Sequence, residues 1–383
     1  MHSFDFQCRT RIVFGPGKVE ALGELASELG ARRALVVSDR GVIAAGHTRR
    51  GIDSLEAAGI EVCLFDDVHE NPTTEDVEAG VRMAHRYEPQ LLVGLGGGSS
   101  MDCAKGINFV YTGGGRMQDY WGTGKALKEM LPMIAVPTTA GTGSETQSYA
   151  LISDSQTHVK MACGDKKASC RIAILDPVLT VTMPVKVTAL TGIDAVSHAL
   201  ETYVTSRRSS ASLAFSREAW HLLAGNFVHA LERPTSLEAR GAMLLGASFA
   251  GLAIENSMLG ATHALANPLT SEYGIAHGQA IAIMLPHVLR FNGEEVGPWY
   301  QDLLDSTGGA KGFPNPADGV EGLADFVADL VAQAGLASKL SDCGVEREKL
   351  SSLATDAAAQ WTGKFNPRPV DASSLQLLYE HAW

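Results

Sequence analysis

In its first half the chain alternates short apolar runs with segments of helical period. Residues 11–14, 34–38, 60–65, 91–95 and 132–136 have the length and character of strands. Between them, residues 18–29, the stretch running on to Ala58, 73–87 and a segment near 101–110 have helical patterns. Strands that alternate with helices predict a parallel sheet covered on both faces. From about Pro184 the texture changes. Residues 189–204, 210–231, 237–254 and 279–291 read as long helices, and strand-like runs nearly vanish. The pattern predicts an α/β N-terminal domain over residues 1–183 and an all-helical C-terminal domain over residues 184–383. The glycines at 306–319 mark a surface loop.

Composition agrees with two packed cores. A chain of 383 residues is long for one domain, and 45% hydrophobic with 19% charged residues is a globular balance. No stretch reaches the roughly 18 uncharged apolar residues that span a bilayer, and residues 1–14 show no apolar run or cleavage site. No membrane partner and a cytoplasmic location are therefore expected. A net charge of -12 argues against nucleic acid, which needs a basic face. Six scattered cysteines without CxxC spacing read as reduced thiols.

Two loops have the character of ligand sites. The run at 91–95 leads into Gly96, Gly97, Gly98 and Ser99, followed by Ser100, Met101 and Asp102. A glycine turn between a strand and a helix start suits a phosphate, because the backbone approaches closely and free N–H groups face the anion. A tight turn without a ligand has the same residues. Asp39 ends the strand at 34–38, where a carboxylate accepts from a ribose diol and repels a 2′-phosphate, or else caps the next helix. The second loop, Pro137 to Glu145, carries Thr138 and Thr139 just past a strand's carboxyl end, where open α/β sheets bind ligands.

A different chemistry is suggested in the helical half. Asp194 and His198 stand four apart in a helical pattern and so face the same way. His263 and His277 follow in glycine-flanked segments. One carboxylate and three imidazoles suit Fe²⁺, Zn²⁺ or a similar divalent ion, although the spacing alone also fits a surface pair or a satisfied buried histidine.

Together these segments resemble the iron-containing (group III) alcohol dehydrogenases. The resemblance covers nearly the whole chain: Phe14 to Gly17, Asn71 to Thr73, Gly96 to Asp102, Pro137 to Glu145, Asp176-Pro177, Gly192 to His198, Gly260 to His277, Pro286-His287 and Asn366 to Arg368. Within the family the pattern resembles small-alcohol members such as lactaldehyde reductase. The resemblance implies a nucleotide-binding α/β domain and a helical metal-binding domain in a homodimer that moves hydride between NAD(H) and a small alcohol or aldehyde. It makes Asp194, His198, His263 and His277 the metal ligands. Gly96, Gly97, Gly98 and Ser99 would hold the pyrophosphate, and Asp39 the adenosine ribose. Asn71, Thr138, Thr139, Lys160 and Leu179 would line the cofactor. Two positions depart from relatives: Asn267 replaces a histidine and Ile254 an aromatic residue. Asn267 is read as orienting substrate or nicotinamide, with capping of the turn before Pro268 as the plainer role. An NAD- and metal-using lyase of the dehydroquinate synthase type is the alternative, disfavoured because the ligand segments are poor in Lys and Arg.

Overall fold

The computed structural model describes residues 3–383. The chain divides into two compact units, Gln7–Met183 and Pro184–Trp383, the second also including residues 3–6.

The first unit is built on β1 (Arg11–Phe14), α1 (Leu22–Glu28), β2 (Arg33–Val37), α2 (Arg40–Ala44), α3 (His47–Ala57), β3 (Glu61–Phe65), α4 (Thr74–Tyr87), β4 (Leu91–Gly96) and α5 (Gly98–Gly113). After these come β5 (Gly122–Thr123), β6 (Met133–Pro137), β7 (Tyr149–Ser153), β8 (Lys160–Gly164) and β9 (Ile172–Leu175). Six strands form one parallel sheet in the order β1-β9-β6-β4-β2-β3. Its inner strands are continuous apolar runs, as burial on both faces requires. The single helical stretch expected up to Ala58 is two helices, because Gly46 takes a left-handed conformation (φ 81°) between α2 and α3. α4 begins at a capping box in which the Thr73 hydroxyl accepts from the Asp76 amide and Asp76 Oδ2 accepts from the Thr73 amide at 2.7 Å.

Strands continue beyond the run at 132–136. β7 and β8 form an antiparallel pair that β5 joins in a small second sheet, and β9 completes the main sheet between β1 and β6. β9 is a four-residue apolar run, Ile-Ala-Ile-Leu, too short for periodicity to distinguish from loop or helix.

The order of the main sheet places its switch point between β2 and β4. From β2 the chain moves outward to β3, and from β4 it moves the other way, to β6. Loops at the carboxyl ends of these two neighbours therefore open into the crevice where such sheets take ligands. Asp39 follows β2 and the glycines follow β4.

The second unit is helical: α6 (Val185–Val204), α7 (Ser210–Glu232), α8 (Leu237–Glu255), α9 (Ala261–Tyr273), α10 (His277–Asp305), α11 (Gly319–Gln333), α12 (Leu350–Ala359) and α13 (Ala372–Ala382). From Gly192 to Val204 every residue of α6 is buried. A helix closed off on all sides leaves its polar side chains to find partners inside the protein. α8 alone among the described helices is long and apolar enough to cross a bilayer, but 72% of its apolar window is buried, as suits a core helix.

Candidate metal and nucleotide sites

The metal candidates start on α6. Asp194 and His198 lie one turn apart on that buried helix, His263 enters from the first turn of α9, and His277 is the first residue of α10. Asp194 Oδ1 stands 3.3 Å from His198 Nε2, 3.4 Å from His263 Nε2 and 3.8 Å from His277 Nε2. His198 Nε2 and His263 Nε2 are 3.1 Å apart. Asp194, His263 and His277 each offer an atom within 4.8 Å of the others, and His198 adds a fourth beside two of them. Ligands about 2.1 Å from a common ion sit roughly 3.0–3.5 Å from one another, a range met by the separations among Asp194, His198 and His263, with His277 standing slightly farther from Asp194 at 3.8 Å.

The electrostatics point the same way. Asp194 Oδ1 is buried without a well-formed hydrogen bond, a costly state for a carboxylate oxygen unless a cation faces it. Burial would raise the Asp194 carboxyl, but the His198, His263 and His277 imidazoles hold it well below the usual carboxylate range. Burial pulls the His263 imidazole down, and the Glu201 and Asp194 carboxylates overcome this and push it up to about 9. A divalent ion would take the protons' place among these donors.

Glu201 is the residue that sequence reasoning missed. Its Oε2 lies 2.5 Å from His263 Nδ1, and its Oε1 accepts from the Thr262 amide at 2.7 Å. The signal was present: Asp194, His198 and Glu201 stand at i, i+4 and i+7 and so form one stripe along α6. Asn366 supports the same corner, its Oδ1 accepting from the Ala261 amide at 3.1 Å.

The nucleotide candidates gather at the switch point of the first unit. α5 has Gly97 as its N-cap and no side-chain cap, so the amides of its first turn face outward from a 16-residue helix, a ready anion site. A side chain at Gly96 would meet Ser100 Oγ at 2.3 Å, and one at Gly98 would meet Thr142 Cγ2 at 2.8 Å. Thr138 continues the β4–β6 ladder, its amide donating to the Gly96 carbonyl at 2.9 Å, and Thr139 lies against Gly97. Asn71, in a left-handed conformation (φ 53°), donates its amide to Ser99 Oγ at 3.3 Å and accepts from Lys160 Nζ at 3.4 Å.

Asp39 has the capping role that its position after β2 allowed, and its second oxygen faces the start of α5. It is the N-cap of α2, Oδ1 accepting from the Val42 amide at 3.0 Å, while Oδ2 accepts from Ser100 Oγ at 3.1 Å beside the glycine turn. Leu179 is 1% exposed and packs its side chain in the core with Val19 and Leu22. Beneath the loops lies a network the sequence reading did not find. Lys105, fully buried, donates to the Ser144 and Tyr149 carbonyls at 2.7 and 2.8 Å, and Asp102 accepts from Ser144 Oγ at 2.5 Å. It ties α5 to the Pro137–Glu145 loop and β7.

Asn267 sits one turn after His263 and donates Nδ2 to Gln360 Oε1 at 3.0 Å. It does not cap a turn, because α9 runs on through Pro268 to Tyr273. Ile254 is buried near the end of α8.

Comparison with known proteins identifies the family of both units. Residues 9–177 match the family model for iron-containing alcohol dehydrogenase, and residues 188–383 match that for the Fe-containing alcohol dehydrogenase family, C-terminal. The chain is 32% identical over 370 residues to NAD-dependent methanol dehydrogenase of Bacillus methanolicus, covering 97% of each. It is 30% identical over 372 residues to lactaldehyde reductase of Escherichia coli (strain K12), again covering 97% of each, so the expected leaning towards lactaldehyde reductase is not distinguished from other members. The solved structure of a 1,3-propanediol oxidoreductase superposes with a TM-score of 0.95 at 31% identity, over 100% of both chains. The chain belongs to the iron-containing alcohol dehydrogenase family of oxidoreductases.

Proposed function

We propose that the protein interconverts a small alcohol and its aldehyde, using NAD(H) and a divalent ion, Fe²⁺ or alternatively Zn²⁺, held by Asp194, His198, His263 and His277. The observation that carries this reading is the convergence of three imidazole nitrogens on one buried carboxylate oxygen. When bound, the ion supplies Lewis acidity toward the substrate oxygen, and the nicotinamide supplies the hydride chemistry.

The chain's own residues do the binding and orienting. The α5 N-terminus with Gly96, Gly97, Gly98 and Ser99 receives the pyrophosphate through backbone amides. Asp39 accepts from the adenosine ribose diol. Thr138, Thr139, Asn71 and Lys160 line the cofactor, Lys160 with the only formal positive charge of the group. Leu179 acts from behind, as packing under the Asp176-Pro177 turn. Support for the nucleotide comes from the switch-point placement and from the NAD-dependent relative.

The test is NAD reduction measured by absorbance across a panel of short alcohols and diols, with metal content determined on the same sample. Activity that tracks divalent metal content is expected. Absence of NAD-linked turnover on every alcohol and aldehyde tried would reject the reading.

Asn267 has a role of its own in this scheme. Its Nδ2 is committed to Gln360, which leaves the amide oxygen to accept from a substrate hydroxyl or the carboxamide of nicotinamide. An amide does not titrate near neutral pH, so Asn267 would orient a bound group without itself moving a proton. Asn267→His is expected to introduce a new ionisation in the kcat profile between roughly pH 6 and 8. An unchanged profile with unchanged KM would place the side chain away from substrate.

A further inference from the structure

We infer that Glu201 is a positioning residue of the metal centre: its carboxylate fixes the proton of His263 on Nδ1 and supplies the second negative charge that a divalent ion requires. The inference rests on the metal reading above and deepens it.

The geometry is specific. Glu201 is 4% exposed and projects from the α6 face that bears Asp194 and His198. A carboxylate only accepts, so the 2.5 Å contact to His263 Nδ1 puts a hydrogen on that nitrogen. In the neutral ring this leaves a lone pair on Nε2, the atom that faces Asp194 Oδ1 and His198 Nε2. The other oxygen takes the Thr262 amide, so the carboxylate is gripped at both ends and the His263 ring is held in plane. Backbone packing preserves the approach: a Cβ on Gly260 would stand 2.9 Å from Asn366 Oδ1 and 3.1 Å from Glu201 Oε1.

Charge gives the second reason. Asp194 and Glu201 are both joined to this cluster of imidazoles, and both are buried. Against three neutral imidazoles and a divalent ion they sum to zero. Asp194 alone would leave a net positive charge in a water-poor interior, which is costly to sustain. A role confined to capping α9 would need only the Thr262 contact, and Asn366 already serves that helix end at the Ala261 amide without touching His263.

Glutamine at this position keeps the shape but has one acceptor for two converging N–H groups. The experiment compares wild type, Glu201→Gln, Glu201→Asp and Asn366→Ala. Zn²⁺ affinity is measured by competition with a chromophoric chelator, the visible spectrum of the Co²⁺ form is recorded, and ¹⁵N-histidine NMR is run on the Zn²⁺ form. Expected are a Zn²⁺ affinity weaker by about 10- to 100-fold in Glu201→Gln and a changed Co²⁺ spectrum. Glu201→Asp should recover part of the affinity. Asn366→Ala should lower the melting temperature while keeping Zn²⁺ affinity within about threefold of wild type, since no ligand contact is lost. In wild type the His263 Nδ1 proton should be visible in the Zn²⁺ form. A His263 protonated on Nε2, or lacking the Nδ1 proton, overturns the inference even if no variant folds. Equal Zn²⁺ affinity in wild type and Glu201→Gln, or equal loss in Asn366→Ala, overturns it as well. A wild-type protein that binds no Zn²⁺, Fe²⁺ or Co²⁺ at all instead rejects the metal reading itself.

Discussion

His263→Ala is expected to lose the divalent ion and the alcohol-dependent reduction of NAD together, with turnover falling by more than about a hundredfold. Outer partners of metal ligands already contribute 10- to 100-fold, and a direct ligand contributes more. The replaced ring also stands between Asp194 and Glu201, so its removal leaves two buried carboxylates facing an empty space. Stability of the helical unit should fall as well, which thermal melting would register separately. Chelation of the wild-type ion is the matching experiment, and readdition of Fe²⁺ or Zn²⁺ should restore part of the activity. Metal content by mass spectrometry and NADH absorbance on one sample check both outcomes. Full turnover by a metal-free preparation would remove the proposed chemistry.

The second large effect concerns the nucleotide. Wild type is expected to prefer NAD(H) over NADP(H), because a 2′-phosphate would meet the Asp39 carboxylate at close range. Two like charges about 4 Å apart near a protein surface repel by up to about 4 kcal/mol, enough for discrimination of a hundredfold or more. Asp39→Gly should bring NADP(H) use up towards NAD(H) use. The capping role of Asp39 complicates such a change only slightly, since glycine at an N-cap costs a few tenths of a kcal/mol relative to aspartate. Asp39→Ser removes the charge and keeps a capping oxygen, so both variants should shift preference while α2 survives. kcat/KM for each cofactor measures it. Equal use of both cofactors by the unmodified enzyme would show that Asp39 does not face the 2′ position.

Much of the candidate site could be read in sequence, for local reasons. Asp194 and His198 share a helical phase, and Asp39 and the glycines directly follow strands, so each pair's placement is a property of a few consecutive residues. Glu201 carries the same helical phase, but the phase alone does not mark it, because a glutamate on a helix is ordinarily a solvated surface residue. Its burial comes from the helices packed around α6. Leu179 shows the converse, a position assigned to the cofactor by resemblance whose side chain the packing commits to the core.

The alternation of apolar runs and helical periods determined, by itself, that a parallel-sheet half precedes an all-helical half. It also determined the faces and strand ends on which the candidate residues lie. Periodicity reports which side of an element is buried but carries no information about what covers it. Only the tertiary structure set β2 beside β4, and with them Asp39 beside the glycine turn. Likewise, only packing brought His263, 65 residues beyond His198, within 3.1 Å of it, and laid Glu201 against the far nitrogen of the same ring. Those meetings depend on how whole helices stack, a sum of contacts distributed over the core and written in no single segment of the chain.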